Sequence, residues 1–193
     1  MKIGFYAGSF DPFTNGHLHV IKVSSEIFDK VIVGIGINNT KTRKFDNDKM
    51  KMAIEKVLKR ENINNVSVIT YDNLTVDAAI KYNANFLIRG IRNGMDYDYE
   101  ENIALINQEI SSIDTIYVRA GRLGALSSSM VLELLQNGKD VSNLLPPEIL
   151  EITKWLFNKY IDKNYYTLLY KKQKEWILCY ISFFLFFVNY IFY

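Results

Sequence analysis

The stretch KIGFYAGSFDPFTNGHLHVIKVSSEIF, residues 2–28, decides the fold. Residues 2–8 form an apolar, β-prone run that reads as a buried strand. Gly8 ends it, and Asp11-Pro12 forces a turn, because Pro fixes its own φ and keeps the residue before it extended. Thr14 or Asn15 can cap a following helix. Residues 16–28 then take helical spacing, with Leu18, Ile21 and Ile27 roughly on one face. His17, one of two histidines in the chain, falls in the first helical turn. Free backbone amides and a partial positive charge there favour a phosphate, and an imidazole adds a further donor. On the residues alone, His17 reads equally as a side chain that packs in that turn. The stretch is neither a Walker loop, since no Gly-Lys-Ser/Thr follows, nor the three-glycine dinucleotide fingerprint. His19 points away from His17 by about 200°, so the two cannot share a metal.

The same alternation continues along the chain. Strands are predicted over 30–38, 65–72, 85–91 and 114–121. Helices are predicted over 48–60, with Asp46 or Asp48 as N-cap, 75–83, 98–111, and 127–138, which Gly138 stops. Residues 144–161 read as one more helix opened by Pro146 and Pro147. Strands that are apolar throughout belong to a parallel sheet covered on both faces. The expectation is an open, doubly wound α/β domain with a five-stranded parallel sheet and right-handed crossovers. Ligands in such sheets bind at the C-terminal strand ends.

Composition sets further bounds. The 193 residues suffice for one domain with a sizeable core. A formal charge of +2 is too small to argue for a nucleic-acid partner. Cys179 is the single cysteine, so no internal disulfide forms. The N-terminus lacks the basic and apolar regions of a secretory signal.

Four strand ends carry phosphate-compatible groups: His17 after the first, Lys41 after the second, Arg89 and Arg92 at the fourth, and Ser127, Ser128 and Ser129 after the fifth. Arginine forks suit phosphate oxygens, and serines at a helix start combine hydroxyls with free amides. Taken singly, the serines read as caps and Lys41 as a solvated loop residue. Taken together, all would converge on one edge of the sheet.

The stretches GSFDPFTNGH (8–17), IRGIRNGMDYDYE (88–100) and LSSSMVLELLQNGKDVSNLLPPE (126–148) resemble the bacterial phosphopantetheine adenylyltransferases, members of the nucleotidyltransferase superfamily with a Thr-x-Gly-His motif. The resemblance covers roughly residues 1–160. It implies a Rossmann-like fold and adenylyl transfer from ATP, with Mg²⁺, to 4′-phosphopantetheine, giving dephospho-coenzyme A and pyrophosphate. It implies a cytoplasmic homohexamer. It gives His17 the stabilisation of charge on the α-phosphate. ATP would meet Ser9, Phe10, His17, Gly90, Ile91, Arg92, Glu100 and the segment Leu123, Gly124, Ala125, Leu126, Ser127, Ser128 and Ser129. The acceptor would meet Ser9, Lys41, Thr75 and Arg89. No residue set is read as a metal site. Many members carry an aromatic residue ahead of the serines, where this chain has Leu123, Gly124 and Ala125, which leaves adenine stacking there open.

Residues 161–193 lie outside the family domain and are rich in Tyr and Phe. The uncharged run 176–193, behind Lys171, Lys172 and Lys174, suits a membrane anchor, an oligomer-burying helix, or an extension without a role. The rival readings are another adenylyl- or cytidylyltransferase of the superfamily, or a nucleotide-binding protein tethered to a membrane by that tail. A class I aminoacyl-tRNA synthetase is disfavoured by charge, length and the lack of a Lys-Met-Ser-Lys-Ser-like loop.

Overall fold

The structure is a computed structural model that describes residues 1–38 and 42–156. Lys41, the far end of the helix expected over 144–161, and the tail 161–193 lie outside the described residues. The elements run β1 (Ile3–Gly8), α1 (Asn15–Ile27), β2 (Lys30–Gly36), α2 (Asn47–Arg60), β3 (Val66–Tyr71), α3 (Thr75–Lys81), β4 (Phe86–Ile91), α4 (Gly94–Ser111), β5 (Asp114–Arg119), a 3₁₀ turn (Gly121–Leu123) and α5 (Ser128–Gln136). The five strands form one sheet in the order β3-β2-β1-β4-β5, and every pairing is parallel. The order reverses between β1 and β4, which is where such sheets open a ligand crevice.

Two apolar layers cover the sheet. Tyr6, Val31, Val33, Ile35 and Ile88 face α1, α2 and α5. Phe5, Ala7, Ile32 and Leu87 face α3 on the other side. Alternation along β1 and β4 therefore assigns each strand-end residue to one face. The inner strands β1 and β2 are buried nearly throughout, whereas the edge strands β3 and β5 are half-buried along most of their length. All-apolar burial on both faces holds for β1 and β2 alone: β4, although it lies between β1 and β5, is half-buried at four of its six residues.

Several boundaries differ from the sequence reading for local reasons. Helix α4 starts four residues earlier than expected, because the Asn93 side chain accepts from the Asp96 amide and caps it. Asp46, rather than Asp48, caps α2 by accepting from the Lys49 amide. Leu18 and Ile21 of α1 are buried as expected, but Ile27 is exposed, and Val20 and Ser24 join the buried face. His19 is half-buried, its Nε2 3.1 Å from the Arg119 carbonyl. The last helix begins at 147, with the Pro146 carbonyl accepting from the amides of Ile149 and Leu150.

Candidate active site

The turn after β1 is built around its aromatic residues. Asp11-Pro12 is cis, and Phe10 sits at φ 47°, a left-handed conformation that a bulky side chain adopts only when its surroundings hold it. Packing supplies that hold: the Phe10 ring is fully buried and lies edge-on to Tyr6 at 5.3 Å and to His17 at 5.0 Å. A β-carbon on Gly8 would stand 2.8 Å from this ring, so only glycine fits there. Asp11 and Arg43 tie the turn to the loop ahead of α2. The Asp11 carboxylate accepts from the amides of Lys44 and Phe45 at 2.9 and 3.0 Å. Arg43 Nη1 donates to the Ser9 carbonyl at 2.7 Å.

Thr14 caps α1 in a reciprocal box with His17: its side chain accepts from the His17 amide, and its own amide donates to His17 Nδ1 at 3.0 Å. An Nδ1 that accepts from an amide carries no proton, so the proton is assigned to Nε2. Burial lowers the His17 pKa from 6.5 to about 4, and the positive charges of Arg92 and Arg89 act in the same direction. At neutral pH His17 is therefore an uncharged donor at the positive end of α1.

The cleft beside it, about 290 Å³, is lined by β1 and its turn, the start of α1, the end of β4 and the start of α5. It brings together Ser9, Phe10, His17, Arg89, Gly90, Arg92, Glu100, Leu123, Leu126, Ser127, Ser128 and Ser129. Ser127 caps α5 through the Met130 amide, and Ser128 Oγ donates to the Pro12 carbonyl at 2.8 Å, which locks α5 to the β1 turn. Arg92 grips Asp96 through Nε and Nη2 at 3.2 and 2.7 Å, and these bonds hold the Asp96 carboxyl below its usual pKa. Ile91, Gly124 and Ala125 do not line the cleft. Ile91 instead holds Ala120 through its carbonyl, and a β-carbon on Gly124 would come 3.1 Å from the Arg92 carbonyl.

Arg89 lies at the junction of three cavities. Its Nε and Nη2 donate to the two Glu100 oxygens at 2.5 and 2.6 Å, and Nη1 donates to the Ala7 carbonyl at 2.9 Å. Glu100, 8% exposed, is the one buried residue of α4. On the α3 side, Arg89 also lines an open hollow of about 770 Å³ with Ser9, Gly36, Tyr71, Asp72 and Thr75. Under α4 it lines a pocket of about 180 Å³ with Thr75, Ile103, Asn107 and Thr115. The Tyr71 and Thr75 hydroxyls are 2.9 Å apart. Thr75 is thus away from the His17 cleft but in reach of Arg89. A groove of about 760 Å³ between α2 and residues 147–155 contains none of these residues.

Tyr6, Asp96, Asp11, Arg43 and Tyr71 were not singled out from the sequence. Tyr6 and Tyr71 had one signal, a polar tip at the C-terminal end of an apolar strand. Asp11 was read only as a turn residue.

A family model for cytidylyltransferase-like proteins matches residues 5–134. Among solved structures, a putative nicotinate-nucleotide adenylyltransferase from Vibrio parahaemolyticus aligns with a TM-score of 0.58 at 20% identity, over 81% of this chain and 96% of that one. Fold, strand-end site and family model together define a nucleotidyltransferase. Two curated relatives are more specific. The phosphopantetheine adenylyltransferase of Lachnoclostridium phytofermentans is 41% identical over 166 residues, 85% of this chain and 99% of that protein. The phosphopantetheine adenylyltransferase of Phocaeicola vulgatus is 43% identical over 147 residues, 76% of this chain and 96% of that protein. The chain belongs to the phosphopantetheine adenylyltransferase family.

Proposed function

We propose that the protein transfers the adenylyl group of ATP to 4′-phosphopantetheine, reversibly, forming dephospho-coenzyme A and pyrophosphate in coenzyme A synthesis. One observation carries this reading: a cleft rich in phosphate-binding groups on the α1 face meets acceptor-sized hollows on the α3 face, with Arg89 at the junction. An acceptor phosphate oxygen would attack the α-phosphorus, the bond to the bridging oxygen would break, and pyrophosphate would leave. The attacking phosphate is already ionised, so no general base is required. Catalysis then consists of alignment and neutralisation of developing charge.

In this reading, Nε2–H of His17 donates to an α-phosphate oxygen, helped by the end of α1. Arg92, the amides at Ser127, Ser128 and Ser129, and Leu123 and Leu126 hold the nucleotide, with Ser9, Phe10 and Gly90 bordering it and Glu100 beside it. Arg89, Thr75, Ser9 and Lys41 hold the acceptor. Mg²⁺ would come with ATP, whose phosphate oxygens are its ligands. Asp96 and Glu100, the carboxylates of the cleft, are both held by arginines, so the ion is assigned to the substrate.

We also propose a homo-oligomer, a hexamer on family grounds. The support is α4, which leaves Met95, Tyr99, Leu105, Ile106 and Ile110 exposed, an apolar display that suits a second copy. Among the described residues no helix is long and apolar enough to cross a membrane. A cytoplasmic location is proposed because ATP is the substrate. The test is to mix the protein with ATP, Mg²⁺ and 4′-phosphopantetheine and to measure pyrophosphate and dephospho-coenzyme A. Nicotinate mononucleotide serves as the rival acceptor. Turnover with that acceptor alone would overturn the reading.

A further inference from the structure

We propose that Tyr6 is a further catalytic residue: its phenolic hydroxyl donates a hydrogen bond to a non-bridging oxygen of the ATP α-phosphate. This rests on the adenylyl-transfer reading above and adds a group that reading does not use.

Position comes first. Tyr6 pairs in register with Ile88 on the neighbouring strand, so both side chains point to the α1 face, the face of His17. The residue is 5% exposed, and it lines the nucleotide cleft. A β-carbon built on Gly90 would stand 3.8 Å from the Tyr6 hydroxyl. The oxygen therefore lies over the backbone between Arg89 and Arg92, where the acceptor side meets the nucleotide side. The Phe10 ring separates Tyr6 from His17 and touches both edge-on. Tyr6 and His17 thus reach one cleft from two sides of the same buried ring.

Bonding comes second. Among the described residues the Tyr6 hydroxyl has no hydrogen-bond partner. Its carboxylate neighbour, Glu100, is already taken by the Arg89 fork. The ring is buried but the hydroxyl oxygen opens to the cleft, so it is free to meet a ligand bound there. A phosphate oxygen between Arg89 and Arg92 would accept from it. Chemistry follows from the surroundings. Burial raises the phenol pKa above its ordinary value, against the lowering effect of Arg89, so the group keeps its proton through the physiological range. It can donate a hydrogen bond, but it cannot serve as a base.

The experiment compares the full-length wild type with Tyr6→Phe, which removes the hydroxyl and keeps the ring. Calorimetry gives the Kd for ATP with Mg²⁺ in the absence of acceptor, kinetics give kcat/KM for ATP and KM for 4′-phosphopantetheine, and a thermal melt gives Tm. A hydrogen bond to a charged oxygen predicts ATP affinity and kcat/KM for ATP lower by roughly 10- to 100-fold. KM for the acceptor should be unchanged. The Tm of the unliganded variant should equal or exceed the wild type, because no protein hydrogen bond is lost. Wild-type ATP affinity and kcat/KM in the variant would overturn the proposal. A loss of activity with a lowered Tm would also overturn it, since that marks a packing role. A wild type that makes no dephospho-coenzyme A would sink the acceptor assignment, while the ATP calorimetry still decides Tyr6.

Discussion

The most searching prediction concerns His17, because the proposed reaction gives one ring two separable tasks. Nδ1 accepts from the Thr14 amide at 3.0 Å, which completes the cap of α1. Nε2 has no partner among the described residues and belongs to the cleft. His17→Asn places its side-chain oxygen near Nδ1, so it keeps the cap and loses the cleft donor. His17→Gln reaches to Nε2, so it keeps the donor and loses the cap. Loss of one preorganised oxyanion donor lowers kcat by roughly 10²–10³-fold, and loss of a cap costs about 1 kcal/mol. The expected outcome is a stable but nearly inactive Asn variant and a less stable but partly active Gln variant. Pyrophosphate release and urea denaturation read the two properties.

The pH behaviour has a definite sign. The folded pKa, about 4, lies below the ordinary 6.5, so the unfolded chain binds the proton more readily. His17 then contributes stability that is fully present above about pH 6.5. That contribution is lost as pH falls toward 4. Each tenfold displacement of the proton equilibrium is worth about 1.4 kcal/mol. Part of the ring opens to the cleft, so the contribution is about 2 kcal/mol. Turnover should show no inflection near pH 6.5 that disappears in the Asn variant. Such an inflection, or an Asn variant with full kcat, would refute the assignment of a neutral donor.

Three further outcomes are expected. Arg89→Lys cannot reproduce the two-pronged grip on Glu100 together with the bond to Ala7, so KM for the acceptor should rise about tenfold or more with KM for ATP little changed; steady-state kinetics check this. Gly90→Ala would place a β-carbon 2.9 Å from Val20 Cγ2, push α1 off the sheet and cost about 1–3 kcal/mol, measured by urea denaturation. Leu105→Glu with Ile106→Glu should shift the protein to a smaller species on size-exclusion chromatography while circular dichroism stays unchanged, since both side chains are exposed on α4.

The topology was legible in the sequence because each strand is a short apolar run and each helix carries caps or spacing of its own. Convergence of His17, Arg89, Arg92 and the serines was legible too, because a parallel sheet places all strand ends after β1, β4 and β5 on one edge. The use of each side chain was not. Ser128 looks like a phosphate ligand in sequence, yet its hydroxyl also fastens α5 to Pro12, a partner 116 residues away. Arg43 carries no signal in the sequence, yet it reaches the Ser9 carbonyl. Glu100 enters the sequence reading only through the resemblance, as an ATP-site residue, and only the turn of α4 over the sheet shows its carboxylate gripped by the Arg89 fork. Such long-range pairings leave no periodic trace along the chain.

The alternation of β1 and β4 sends Tyr6 and Gly90 to one side of the sheet and Ala7 and Arg89 to the other. In the proposed reaction the nucleotide would meet α1 and α5 on one side and the acceptor α3 on the other, across one strand edge. Such an arrangement is modular. Substitutions in α3 would retune acceptor choice while leaving the α1 and α5 half untouched, and the reverse would hold for the nucleotide. Selectivity for the two substrates would then drift largely independently, limited by Ser9, Arg89 and Glu100, which line both the nucleotide cleft and a hollow beyond it.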